Sequence, residues 1–278
     1  MILGYDISGI KQLDTVDIVG LLADFGYLSV AITLDRHVLN PYADAHDFYS
    51  QLDAVQQSLA EHGMRSVVDT TAPFVLDPLR PNEPTLMTGD SVERARRVGF
   101  LTDAVDVARE LGSDCITLFS GSLDEPLSDD DAFARLLEGL NVIVEYADGE
   151  GVAVSVRPHR DTFIDSMERF NELLQRIQLP QLKLTIGISS ADAWCESSVV
   201  AAITRWADRL VDVRVEDSQG VSRSSEWERA QHGFPAIFAA LDQVAYQGAV
   251  HVQRDGYTEE ASEAARQAFA ELSPLVGG

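Results

Sequence analysis

Residues 110–120 read ELGSDCITLFS. ELG closes a long helical pattern and Gly112 stops it, because glycine takes the left-handed conformation that ends a helix at little cost. CITLFS then reads as a short, buried, β-rich strand. This unit decides the fold because it recurs. DTVDIVGLLADFG, 14–26, is capped by Asp14 and Thr15, stops at Gly26, and leads into YLSVAIT, 27–33. A helical pattern over 44–62 stops at Gly63, ahead of MRSVVDT.

The rest of the chain repeats the alternation. Further strands are expected at ILGYDI (2–7), VAVSVR (152–157), LKLTIG (182–187), RLVDVRV (209–215) and AVHVQ (249–253). Helices are expected over 91–111, 129–147, 161–177 (opened by Asp161 and Thr162), 196–208, 235–246 and 258–273. Between the third strand and its helix lies TAPFVLDPLRPNEPTLMTGD, whose four prolines forbid regular structure. Loops this long are usually functional or mobile. Eight strand–helix units at this spacing imply parallel strands joined by crossover helices, the arithmetic of a (β/α)8 barrel. A doubly wound open sheet competes, but no GxGxxG follows an early strand. The expectation is one barrel domain over 1–278.

The formal charge is −24, with only two lysines, Lys11 and Lys183, among 21 cations. Such an acidic surface repels nucleic acid and anionic membrane. The acidity fits either salt adaptation or plain solubility. Cys115 and Cys195 are far apart with no CxxC, which gives no disulfide framework and no thiolate zinc site; both read as small buried hydrophobes. The start, MILGYDISG, does not read as a signal peptide. No stretch is long and apolar enough to span a bilayer. A cytoplasmic protein is expected, with self-association left open.

In a (β/α)8 barrel the site lies at the C-terminal ends of the strands. Taking alternate residues, the inward strand ends are Asp6, Thr33, Asp69, Ser120, Arg157, Gly187, Arg214 and Gln253, with His159, Glu216 and Asp217 just beyond. A slip of one residue in any strand changes this set. In LTIGISSADAW, 184–194, Gly187, Ser189 and Ser190 stand where a pocket enzyme would want an acid or a histidine.

The run PTLMTGDSVERARRVGFLTDAVDVARELGSDCITLFSG, with VSVRPH, LKLTIGISSADAW, RLVDVRVEDSQG and GAVHVQRDG, resembles the xylose isomerase-like barrels over essentially the full chain. That superfamily holds sugar and sugar-phosphate isomerases and epimerases. The resemblance implies a divalent metal held by a Glu closing strand five, an Asp closing strand six with a following His, a His in strand seven and a Glu closing strand eight. Carried onto this sequence, those positions fall on Arg157, Gly187, Ser190, Arg214 and Gln253. Gly has no donor, Arg is a fixed cation and Gln is a weak neutral ligand. No cofactor is therefore expected.

Arg157 and Arg214 either grip a carboxylate or phosphate or pair internally with Asp6, Asp69, Asp212, Glu216 or Asp217. The expected partner is a small sugar-like or anionic ligand, contacted also by Gln253, Arg254, His37, Ser120 and Trp194. His159, with Glu216 and Asp217, is the candidate for proton chemistry; Arg157 should lower its pKa and leave it neutral. His37 and His159 read equally as loop residues, Trp194 as packing, and Ser120 as a loop cap. Three functions stay open: a metal-less binding relative with no or altered catalysis, an isomerase or epimerase with a relocated metal or a metal-free acid/base pair, and a non-catalytic interaction protein.

Overall fold

The computed structural model describes residues 1–10, 13–123, 125–189, 196–216, 233–254 and 261–276. Eight strands follow one another in chain order and close into a barrel. They are β1 Ile2–Asp6, β2 Ser29–Thr33, β3 Arg65–Asp69, β4 Cys115–Leu118, β5 Ala153–Val156, β6 Lys183–Ser189, β7 Leu210–Glu216 and β8 Ala249–Gln253. The α-helices among the described residues are α1 Thr15–Phe25, α2 Ala45–His62, α3 Ser91–Leu111, α4 Asp129–Glu150, α5 Met167–Arg176, α6 Glu196–Arg205, α7 Phe234–Gln243 and α8 Ala261–Leu272. This is the (β/α)8 barrel that the helix–glycine–strand grammar implies. Among the described residues no helix is long and apolar enough to cross a membrane.

Internal contacts divide the chain into two compact units, Met1–Ile32 with Asp53–Ser66 and Leu184–Gly278, and Thr33–Leu52 with Val67–Lys183. In the first, Gly187 on β6, Arg214 on β7, His251 on β8 and Gly4 on β1 stand in one register row. Residues in register project to the same face. The row therefore sets two large polar side chains between two glycines. The room is needed: a methyl on Gly4 would run into the His251 ring.

Arg214 is wholly buried, and it is bonded on two sides. Its Nη1 donates to Asp6 Oδ2, and its Nε donates to Asp212 Oδ2 at 2.6 Å. Asp212 Oδ1 accepts from His251 Nδ1 at 2.6 Å, and His251 Nε2 lies 3.0 Å from Ser29 Oγ. Asp6 Oδ1 accepts from the Ser8 amide at 2.9 Å and so caps the 3-10 turn Ile7–Gly9. Every oxygen of both carboxylates thus has a donor. Asp6 on β1 reaches Arg214 on β7 past the intervening β8, which only the concave face of a curved sheet allows. Burial works to raise the pKa of Asp212, but Arg214 and His251 outweigh it and hold that pKa at about 2.

The second unit follows the same rules with two departures. Helix α3 is capped by the Asp90 carboxylate and ended by Gly112 at φ 65°; α4 runs to Glu150 before Gly151 ends it at φ 73°, a turn further than the sequence pattern predicts. Helix α5 starts at Met167 on a Ser166 cap rather than at Asp161. The reason is burial: Phe163 packs edge-on against Phe133, and Ile164 bonds Ser120 Oγ through its amide and the His159 amide through its carbonyl. These contacts hold 161–166 as a loop. On β4, Thr117 rather than Ser120 shares the polar face, since its hydroxyl lies 3.0 Å from Ser155 Oγ on β5. The inward register there slips by one. Cys115 is fully buried, and Cys195 lies outside the described residues.

Gly4→Ala should destabilise the chain by roughly 1–3 kcal/mol, the usual cost of overpacking, read as a lower denaturation midpoint; an unchanged midpoint would contradict the packed row. Asp212 has a folded pKa below its unfolded value of 3.8. Its contribution, on the order of 2 kcal/mol, should be complete above about pH 4 and lost as the pH falls towards 2. Urea melts between pH 2 and 6 should show this slope. Asp212→Asn should flatten it and cost roughly 3–5 kcal/mol, because Arg214 then loses a buried partner.

Candidate functional site

Beyond β5 the chain turns through Arg157 and His159. Arg157 is buried, and its amide donates to Leu118 O at 3.0 Å. Its guanidinium lies over the Phe119 ring, 5.3 Å from the centroid. On Phe119, in turn, rests the His159 ring, with centroids 4.9 Å apart. The half-buried His159 has its pKa lowered, first by burial and then by the Arg157 charge. Its Nδ1 accepts from the Asp161 amide at 3.4 Å. The neutral ring then carries its proton on Nε2 and presents an N–H donor.

His159 and Phe119 line a small open cleft of about 120 Å³. Its described wall comes from the second unit: Thr70 and Thr71 after β3, Asn82 and Thr85 from the proline-rich segment, Arg97 of α3, Phe119–Ser122 after β4, and Asp161 and Thr162 after β5. The proline-rich segment has no regular structure, yet it is anchored. Leu86 and Met87 are buried, and Thr85 packs so closely on Gly121 that a methyl there would collide with it.

The structure places the predicted site residues unequally. His159 and Ser120 line the cleft. Ser120 is nevertheless engaged in holding the loop, accepting from the Ile164 amide at 2.9 Å and donating to Gly121 O at 3.3 Å. Arg157 touches the cleft through Phe119. Arg214 is internally paired with Asp6 and Asp212, so of its two expected fates the structure shows the internal one. Gln253 is half-buried, its Nε2 donating to Ser8 Oγ at 3.4 Å, and Glu216 stands beside it in register. Arg254 accepts from the Tyr5 hydroxyl through its carbonyl at 3.5 Å. His37 is exposed on the loop after β2, where its amide donates to Asp35 Oδ1 at 2.7 Å. Asp217, Ser190 and Trp194 lie outside the described residues.

Sequence reasoning passed over Arg97, the one arginine among the described residues of the cleft wall. A signal existed. Residues 97, 100, 101, 104, 108 and 111 form one buried stripe of α3, and Arg97 is the only charged member. A cation on the apolar face of an amphipathic helix is rarely placed there without a partner.

The metal-ligand positions implied by the sequence can be tested for fit. At the β5 and β7 ends stand guanidiniums, which have no lone pair to give. At the β6 position stands Gly187, and the Asp6 and Asp212 oxygens that meet Arg214 are already bonded. Among the described residues no group of three or more His, Cys, Asp or Glu side chains could hold a metal ion. These residues do not fit a divalent cation.

The fold is shared with solved sugar epimerases. D-psicose 3-epimerase from Clostridium cellulolyticum H10 superposes with a TM-score of 0.71 at 15% identity over 99% of both chains. 3-Keto-D-glucoside 4-epimerase from E. coli gives 0.74 at 14%, over 99% of this chain and 98% of that one. L-ribulose 3-epimerase gives 0.73 at 15%, over 99% and 94%. No curated protein matches the chain. The family described as xylose isomerase-like TIM barrel matches residues 19–274, and the chain belongs to that family.

Proposed function

We propose that this member of the sugar isomerase and epimerase barrels binds a small polyhydroxy or anionic ligand in the cleft beyond β4 and β5, without a divalent ion and with no or altered catalysis. One observation carries the reading: the β7 position at which the resemblance calls for a metal-binding imidazole holds Arg214, buried and claimed by Asp6 and Asp212. A guanidinium there offers no lone pair for coordination, and it occupies carboxylate oxygens of Asp6 and Asp212 that a cation would need. The cleft supplies groups that suit a polyhydroxy ligand, with an N–H donor at His159 and hydroxyls at Thr70, Thr71 and Ser122.

A second reading is a metal-free isomerase or epimerase. The observation favouring it is the lowered pKa of His159 in the cleft, which keeps the ring neutral at pH 7. For that role the proton on Nε2 must move to Nδ1, breaking the bond from the Asp161 amide, before Nε2 could accept a proton from a substrate carbon.

Chelator should leave the melting temperature unchanged, and manganese or zinc should not raise it; a drop of several degrees with chelator would contradict the metal-free reading. The His159 ring should titrate below 6.5 by NMR, and Arg157→Met should move that midpoint upward without restoring it fully, because burial is the larger cause. A midpoint unmoved by Arg157→Met would remove Arg157 from the site's electrostatics.

A further inference from the structure

Helix α3 carries three arginines in its first two turns, and two are satisfied. Arg94 donates to the Thr88 and Gly89 carbonyls, each at 2.9 Å. Arg96 bonds the Leu76 carbonyl and pairs with Glu93 at 3.5 Å. Arg97 differs from both. It is only 7% exposed, yet among the described residues no carboxylate pairs with it. Its one hydrogen bond there is a long 3.5 Å contact from Nη2 to the Thr70 carbonyl, and its guanidinium lies 5.3 Å from the Phe100 ring centroid. Burial lowers its pKa, but only to about 10, so it stays charged at neutral pH.

A buried charge without a counter-ion costs several kcal/mol. Proteins keep such groups where a ligand completes them. Arg97 lines the cleft, so the missing partner has a place to sit. Other donors share that wall. Among the described residues, the Asn82 side chain, the Ser122 hydroxyl and the amides of Gly121 and Ser122 have no protein partner. Gly121 holds φ at 82°, a conformation that turns consecutive amides towards one side. Among the described wall residues the one acidic side chain is Asp161, and it is exposed where Arg97 is buried.

We infer that Arg97 is the anchor for an oxyanion group, the phosphate or carboxylate end of a small polyhydroxy ligand, with Asn82 and the Gly121–Ser122 amides completing its hydrogen bonds. The inference rests on the reading that the cleft holds a small ligand. It deepens that reading by assigning the charged end of the ligand to α3 rather than to the strand-end arginines. A guanidinium accepts either anion through paired bonds.

The test is calorimetric titration of the full chain with inorganic phosphate and, separately, acetate at low ionic strength. At least one of them should bind and raise the melting temperature. Tighter binding of phosphate would assign a phosphate ester, and tighter binding of acetate a carboxylate. Arg97→Met should weaken the binding about tenfold or more, since a charge-assisted hydrogen bond contributes roughly that factor. Its melting temperature without anion should not fall, because the variant removes a buried unpaired charge. Arg97→Lys, which keeps the charge but not the fork, should retain part of the affinity; it serves as the test should Arg97→Met not fold. Unchanged affinity in both variants, or no binding of either anion to the parent chain, would overturn the inference. Titration with a neutral ketohexose separates the two levels: binding that Arg97→Met leaves unchanged, with no anion response, would sink the oxyanion anchor and leave the cleft as the ligand site. No response to sugar or anion would end both.

Discussion

The arrangement at the end of β7 depends on one buried guanidinium. Arg214 has no contact with solvent, and its stability there comes from Asp6 and Asp212 together. Desolvating an ion is costly enough that a buried pair gains little by itself. What such a set provides is definition, since each member has one acceptable place. Asp6 is fixed a second time by the Ser8 amide, Asp212 by His251, and His251 by Ser29. The glycine at 4 follows from this. It stands beside His251 in the row, where a side chain on Gly4 would displace the imidazole.

That commitment changes what the barrel can do. A divalent ion in a sugar isomerase polarises oxygens and draws carboxylate and imidazole donors around itself. Here a fixed side-chain cation collects the carboxylates instead, and it cannot offer an open coordination position. In the second unit, Arg157 and His159 pack on Phe119 beside a cleft whose wall includes a buried arginine on α3.

The barrel was legible because its signals are local. A glycine after an apolar helix, such as Gly26 or Gly112, and a β-branched run behind it need no tertiary information. The α5 start was not legible, because Asp161 and Thr162 make a plausible cap and only tertiary burial of Phe163 and Ile164 keeps that segment a loop. The face of β4 slipped by one for a similar reason: which of two neighbouring polar residues meets Ser155 is decided by the adjacent strand. The fate of Arg214 could not be read from the sequence. Pairing depends on distances between strands far apart in sequence, and Asp6 lies 208 residues from Arg214. Arg97 lies on a helix rather than at a strand end, and its signal is in the helical period of α3.

The central claim is that a guanidinium holds the β7 end in place of a metal ion. Anomalous scattering from crystals grown with manganese tests it most directly. The account predicts no manganese peak beside Arg214, with its Nε and Nη1 still on Asp212 and Asp6. A manganese peak bound by Asp6 or Asp212, with the Arg214 side chain displaced, would contradict it.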